Sequence, residues 1–164
     1  MTGPMPYPAL NQAFDALLPK GLQAYWKANF LPDLTDDAIN VHLDYGSRVP
    51  SVQTAVHVHP IDGAVQRVGA TDSAFPNRNA KFSPVMAGMW EDPADNEANI
   101  SWVRDYAAAM EPFSEAAGYI NFMDGDDLPK VAENYGPNFR RLSEIKTKYD
   151  PQNLFHVNQN IPPP

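Results

Sequence analysis

The chain has 164 residues, of which 43% are hydrophobic and 11% aromatic, a composition typical of one ordered globular domain. Its formal net charge of −8 offers no basic surface that could release phosphate counterions, so we expect no nucleic-acid partner. The absence of cysteine excludes disulfides, a thiol nucleophile and a cysteine-ligated zinc site, and it mildly favours a cytoplasmic location. No apolar stretch approaches the roughly 20 residues of a membrane helix, and the N-terminus lacks a signal-peptide pattern, so we expect no membrane partner.

Two helices are predicted in the first part of the chain. Residues 8–18 place apolar side chains on one stripe, and Pro19 would end that helix. Residues 35–45 form a second helix, for which Thr35 is a suitable N-cap. Residues 22–30, which lie between them, carry an aromatic cluster that we interpret as core and not as a binding surface: Tyr25, Trp26 and Phe30.

Four strands are predicted, at residues 52–59, 64–68, 85–90 and 118–123. The first alternates cleanly and places His57 and His59 on its polar face. Such a histidine pair could hold a metal, but no third ligand is identifiable, so no metal site is predicted. The structural alternative is that the two histidines are ordinary surface residues of an exposed strand face.

Two further helices are predicted at residues 96–113 and 137–149, the second ending at Asp150-Pro151 before an extended tail. We expect Arg140, Lys146 and Lys148 on the solvated side of that last helix. Strands and helices follow each other without a βαβ rhythm, which favours an α+β fold: an antiparallel sheet with helices packed on one face.

Residues 119–164 carry several short motifs in a fixed order. They are Y-x-N from Tyr119 to Asn121, Y-G-x-N-x-x-R-L from Tyr135, K-x-K-Y-D-P-x-N-x-F from Lys146, and N-x-x-I-P from Asn158. This series resembles the C-terminal berberine-bridge segment of FAD-linked oxidases.

The resemblance continues upstream in a looser form. The stretches are D-G-A-V from Asp62, S-A-F-P-N-R from Ser73, W-x-D-P from Trp90, and Trp102. They are similar to the substrate-domain pattern of the same family, from which Asp62, Ser73 and Asn77 depart. The resemblance implies that residues 1–118 are part of the substrate domain and 119–164 the berberine-bridge segment, together one compact domain.

The family resemblance also implies a function: oxidation of a small organic substrate by hydride transfer to FAD, with dioxygen as the likely acceptor. In such enzymes the sheet forms a roof over the flavin. Tyr119 and Asn121, at positions i and i+2 of the predicted strand, would be catalytic residues of that wall. The structural alternative is a tyrosine with its hydroxyl in water and an asparagine bonded to backbone. Asn158 and Asn160, on the tail that returns to the FAD domain, would bind the cofactor.

The family's FAD domain has a glycine-rich phosphate-binding stretch and a histidine, sometimes also a cysteine, that bonds the flavin; we find no counterpart of either in this sequence. We therefore expect the chain alone to retain no FAD and to be inactive without an FAD-binding domain or subunit. Two alternatives stay open: a non-enzymatic dimerisation or interaction module derived from the fold, and one subunit of a split flavoenzyme. In either case the sheet face away from the helices favours a homo-oligomer.

Overall fold

The computed structural model describes residues 3–13, 15–115, 117–125, 130–157 and 159–164. Its centre is a three-stranded antiparallel sheet in the order β1-β3-β2. The strands are β1 (Gln23–Ala28), β2 (Ala55–Pro60) and β3 (Phe82–Trp90). The helices are α1 (Tyr7–Asn11), α2 (Asp36–Gly46), α3 (Asn96–Met110), α4 (Val131–Tyr135) and α5 (Phe139–Tyr149).

Helices α2 and α3 cover one face of the sheet. Their side chains form the larger core cluster together with alternate residues of β1 and β3, among them Tyr25, Met86 and Trp90. Burial of this apolar surface is the main stabilising contribution to the fold. The α+β class, an antiparallel sheet with helices packed on one face, is therefore confirmed.

The junction between α2 and α3 depends on polar and aromatic contacts. Thr35 caps α2, since its hydroxyl accepts a hydrogen bond from the Ala38 amide at 3.2 Å. The ring of Tyr45 stacks on that of Tyr106 at 4.6 Å, and a short hydrogen bond joins His42 Nδ1 to the Tyr106 hydroxyl. His42, which has no role in the sequence motifs, thus fastens the two helices together.

Two of the predicted strands are wrong. Residues 64–68 contain a 3₁₀ turn, Val65–Arg67, and residues 118–123 contain another, Ile120–Phe122. In the second turn the Phe122 amide bonds back to the Tyr119 carbonyl at 2.8 Å, so this amide bonds locally and not to a neighbouring strand. The predicted helix 8–18 is likewise not one helix, because α1 ends at Asn11 and a separate 3₁₀ turn follows at Asp15–Leu17.

Strand β1 was not predicted, and strand β3 is longer than its prediction. The aromatic stretch 22–30 contains β1, in which Tyr25 is buried against the helices while Trp26 points to the opposite face. Trp26 is only partly buried, and it packs against the smaller apolar cluster of Val85, Ala87 and Met89 and not in the larger core. Strand β3 begins at Phe82 and runs through Pro84, whose carbonyl accepts a hydrogen bond from the Asn29 amide at 3.2 Å.

The C-terminal motifs fasten the last helix to the rest of the chain. Asn138 is 5% exposed, and its carboxamide donates to the carbonyls of Ala70 and Ser73 at 2.8 and 3.1 Å. Arg140 is exposed as predicted, but Lys146 is not, because its ammonium bonds to the Asp150 carboxylate and the Phe155 carbonyl. Its side chain is only 16% exposed.

The Asp150 carboxylate closes the turn that follows α5, and we expect this to make stability depend on acid pH. The Lys146 ammonium and the amides of Phe155 and Leu154 lower the pKa of Asp150 from 3.8 to about 2. The folded form therefore binds the proton less readily than the unfolded form, and the stabilisation is complete only above pH 3.8. It should be lost as the pH falls from that value through about 2.

Urea unfolding at a series of pH values tests this expectation. Asp150→Asn should lower the free energy of unfolding at neutral pH and reduce its slope between the two pKa values. Asp62→Asn, at an exposed carboxylate, is the matched control and should keep the slope of the wild type. An Asp150→Asn variant with the full wild-type slope would contradict the assignment.

None of the helices in the described part of the chain combines the length and apolar content required to cross a bilayer.

Candidate functional site

On the face of the sheet opposite α2 and α3, none of the α-helices in the described residues packs, although Ala16, Leu18 and Pro19 of the N-terminal segment line a cavity there. Because directly paired residues share a face, the register assigns to it Trp26 and Ala28 from β1, His57 and His59 from β2, and the central row of β3. We call this surface the open face; it consists of Trp26, Ala28, Ala55, His57, His59, Val85, Ala87 and Met89.

The centre of the open face is apolar and closely packed. Val85 and Ala87 are 0% and 1% exposed, and Met89 lies beside them in the same cluster. Trp26 borders this row on one side and His57 on the other, and a cavity of about 910 Å³ extends over the face. The β3 row is therefore covered within the chain, by Trp26 and Phe122 among others, and the accessible part of the face is its rim of aromatic rings. Such a rim suits contact with a planar ring system.

A row of aromatic rings connects the open face to the Y-x-N segment. Phe122 lies at the centre of this row, with its ring centroid 5.8 Å from Trp26, 6.1 Å from His59 and 5.1 Å from Tyr119. The rings of His57 and His59 pack at right angles, 4.6 Å apart. Burial, with the neighbouring His59 charge as a smaller cause, lowers the pKa of His57, which favours its neutral form.

Tyr119 and Asn121 are brought together, although not by a strand. The 3₁₀ turn places the Asn121 carboxamide 2.9 Å from the Tyr119 hydroxyl, to which it donates a hydrogen bond. Donation to the phenol oxygen holds the ring in position and leaves the phenol proton available to another partner. Tyr119 is half-buried and, together with His59 and Ser83, lines a cavity of about 440 Å³.

Neighbouring elements hold the Y-x-N segment in place. The Gly118 amide donates to the Asn134 carboxamide of α4 at 3.0 Å, and the Gln159 side chain on the C-terminal tail donates to the Met123 carbonyl at 3.0 Å. The helix α4 and the tail thus fix both ends of the segment that carries Tyr119 and Asn121.

Of the two residues predicted to bind the cofactor, the structure describes only Asn160. Asn158 lies outside the described residues. The Asn160 side-chain oxygen is buried and has no hydrogen-bond partner among the described residues. Trp26 Nε1 and Ser83 Oγ, on or beside the open face, are buried without a partner in the same way. Of these three residues, Trp26 and Ser83 lie on the same face of the sheet by register, and polar groups of a molecule bound there would satisfy them.

No third metal ligand lies beside His57 and His59 among the described residues. Within the described residues there is no group of three or more His, Asp or Glu side chains that could hold a metal ion. His57 and His59 instead form part of the wall of the open face.

Sequence reasoning missed three side chains of this site: Trp26, Phe122, and Arg78, which lines the 440 Å³ cavity together with Tyr119. The alternation of residues 23–28 could have separated Trp26 from Tyr25, since neighbouring strand residues point to opposite faces. Arg78 and Phe122 reach the site through a loop and a turn, for which the sequence gives no periodic signal.

Solved structures show which class of protein has this fold. A glycopeptide hexose oxidase in complex with teicoplanin superposes with a TM-score of 0.75 at 25% sequence identity, over 87% of this chain and 33% of the other. A berberine bridge enzyme-like protein of Arabidopsis thaliana gives a TM-score of 0.77 at 19% identity, over 87% and 34%. The fold is therefore that of one part of a larger oxidoreductase.

Sequence comparison agrees. Residues 118–162 match the family described as "Berberine and berberine like". An FAD-linked oxidoreductase of Dictyostelium discoideum is 29% identical over 161 residues, 97% of this chain and 35% of its own length. FAD-linked oxidoreductase YvdP of Bacillus subtilis is 37% identical over 101 residues, 62% of this chain and 22% of its own length.

These matches confirm the family resemblance: the chain is similar to part of the berberine-bridge-enzyme-like FAD-linked oxidoreductases. It spans about a third or less of the length of the curated relatives it matches.

Proposed function

We propose that this chain forms the substrate-side wall of an FAD-dependent oxidoreductase that oxidises a small organic molecule by hydride transfer to flavin, with dioxygen as the final acceptor. Residues 1–118 would be part of the substrate domain and 119–164 the berberine-bridge segment. An FAD-binding domain or subunit would close the open face, in a cytoplasmic enzyme. The observation that carries the proposal is the position of the Tyr119–Asn121 pair at the edge of that apolar face.

In this proposal FAD, when bound, supplies the acceptor for the hydride. Tyr119 would have to react as the phenolate to accept the proton that the substrate hydroxyl loses as the hydride leaves, and the hydrogen bond that Asn121 donates would stabilise and orient that phenolate. The apolar row of β3 excludes water from the reacting groups. The tail residues Asn158 and Asn160 would contribute polar contacts to the cofactor.

Flavin binding tests whether the chain needs a separate FAD-binding domain or subunit to hold the cofactor. We expect the purified chain to stay colourless after incubation with FAD, since the open face provides a wall for the ring but no cradle of backbone amides for the phosphates. The complete enzyme that contains this chain should be yellow, and under anaerobic conditions its flavin absorbance should bleach on addition of an oxidisable alcohol or sugar from a substrate panel. A stable yellow complex of the chain alone, or a complete enzyme that no substrate reduces, would contradict the proposal.

A second candidate function is supported by the rim of the 910 Å³ cavity, where the apolar side chains of Leu18 and Val52 are 49% and 95% exposed. If no flavin domain covers the open face, the chain acts as a dimerisation or interaction module, and a two-fold dimer is the commonest arrangement for a self-complementary patch. The net charge of −8 opposes association, but at physiological salt its range is only about 8 Å. We therefore expect the isolated chain to dimerise.

Light scattering over a concentration series measures this expectation. Trp26→Lys should abolish the dimer, whereas Tyr7→Lys, at an exposed position of α1, should leave it unchanged. A monomer at high micromolar concentration that binds no hydrophobic dye would remove the support for this candidate.

A further inference from the structure

A second cavity opens beside Tyr119, at the end of the sheet where β2 stops. Its volume is about 440 Å³, within the range of small-molecule sites. Its walls include the apolar side chains of Phe30, Ile61 and Phe75, while Arg78, Ser83 and Tyr119 contribute polar groups.

Arg78 is the positively charged group of this cavity, and its partners among the described residues are all neutral. Its terminal nitrogens donate to the Val65 carbonyl at 3.1 Å and to the Ser73 hydroxyl at 2.5 Å. Its guanidinium lies over the Phe75 ring, 5.0 Å from the centroid. The described part of the chain provides no carboxylate to Arg78, and its Nε atom is buried without an acceptor.

Ser83 adds a second unsatisfied group to the same cavity. This β3 residue is 3% exposed, and its hydroxyl has no hydrogen-bond partner among the described residues. A half-buried guanidinium without a counter-charge is unfavourable, and so is a buried hydroxyl without a partner. Both residues line the same cavity, so one ligand that carries an oxyanion would supply a counter-charge to Arg78 and an acceptor to Ser83.

We propose that the cavity between Arg78, Ser83 and Tyr119 binds the carboxylate of a small aromatic or apolar acid, which makes such acids the substrate class of this site. The inference rests on the proposed function, since it takes this cavity as the substrate side of the enzyme. A carboxylate matches the planar fork of a guanidinium, and the phenyl rings of Phe30 and Phe75 accommodate the apolar body of the acid.

Benzoate and benzyl alcohol, which share a ring and differ in charge, are suitable probes. Both are titrated into the isotope-labelled chain without FAD, and amide shifts are followed by NMR up to about 10 mM, a concentration that detects weak complexes. Benzoate should shift the amides of His59, Phe75, Arg78, Ser83 and Tyr119 in a saturable way and bind at least tenfold more tightly than benzyl alcohol. No saturable shift at these amides, or equal affinity for the two probes, would overturn the proposal.

Substitutions then identify the group responsible. Arg78→Gln should weaken benzoate binding tenfold or more and leave benzyl alcohol nearly unchanged. Arg140→Gln removes one positive charge from an exposed site and should change neither. Arg78→Lys keeps the positive charge but not the planar guanidinium, so its benzoate affinity should lie between those of the wild type and Arg78→Gln. This variant also serves as the test if Arg78→Gln does not fold.

An unchanged benzoate preference in a folded Arg78→Gln or Arg78→Lys variant would overturn the assignment. Because the titration needs no flavin, it can fail while the complete enzyme still oxidises neutral substrates. It can also succeed if the chain is not part of an oxidoreductase, so the two proposals fail separately.

Discussion

Replacement of Gly118 by alanine is expected to destabilise the chain more than any other single methyl addition considered. A Cβ atom at this position would lie 2.3 Å from the Ala28 carbonyl oxygen and 3.2 Å from the carbonyl carbon, and backbone atoms of a strand cannot move away as a side chain can. The overlap should cost about 3 kcal/mol of the free energy of unfolding. For a chain of this length that corresponds to a fall in Tm of about 6–12 °C.

Thermal unfolding of two variants measures the effect. Gly46→Ala is the matched control, because Gly46 is the last residue of α2 and a Cβ there meets nothing within 4 Å. Alanine also has the higher helix propensity, so this control should unfold at or above the wild-type temperature. A Gly118→Ala variant as stable as Gly46→Ala would show that the Y-x-N segment does not lie against β1.

Replacement of Tyr119 by phenylalanine is expected to have the largest effect on activity. The change removes only the hydroxyl that accepts the Asn121 hydrogen bond and keeps the ring packed on Phe122. If the phenol transfers the substrate proton, turnover of the complete enzyme should fall about 10²-fold or more while the folded structure is retained. Asn121→Ala should lower turnover by a smaller factor, since it removes only the group that positions the phenol.

The measurement is single-turnover flavin reduction under anaerobic conditions, which separates the chemical step from reoxidation by dioxygen. Tyr149→Phe, at an exposed tyrosine at the end of α5, is the control and should react at the wild-type rate. A loss of less than tenfold in Tyr119→Phe would return Tyr119 to the structural alternative, that of a tyrosine at the edge of the domain.

The fold class and the two principal helices could be predicted because their signals are local. Thr35 caps α2 as expected, and apolar residues at helical spacing predict α3. The strands were harder, because whether a short apolar run pairs depends on which segment lies beside it. Residues 64–68 and 118–123 have strand-like composition, but both form 3₁₀ turns.

In the site, too, local signals could be predicted from the sequence and long-range contacts could not. The Tyr119–Asn121 pair was predicted from a strand geometry that is wrong, yet the 3₁₀ turn still joins the two side chains by a hydrogen bond. Trp26 was predicted to be core because it belongs to an aromatic cluster, whereas the pairing of β1 with β3 turns it to the open face, where it packs against the smaller apolar cluster. Long-range contacts of this kind, such as that between Phe122 and His59, have no counterpart in the local pattern.

The central claim is that the open face is the surface covered by an FAD-binding domain, and histidine labelling tests it most directly. Diethyl pyrocarbonate modifies accessible histidines, and mass spectrometry can compare the isolated chain with the complete FAD-loaded enzyme. In the isolated chain at low concentration, His59 and to a lesser extent His57 should react, whereas His42, which is bonded to Tyr106 between α2 and α3, should react slowly in both forms. The account predicts that His57 and His59 are protected in the complete enzyme; equal labelling of this pair in the two forms would contradict it.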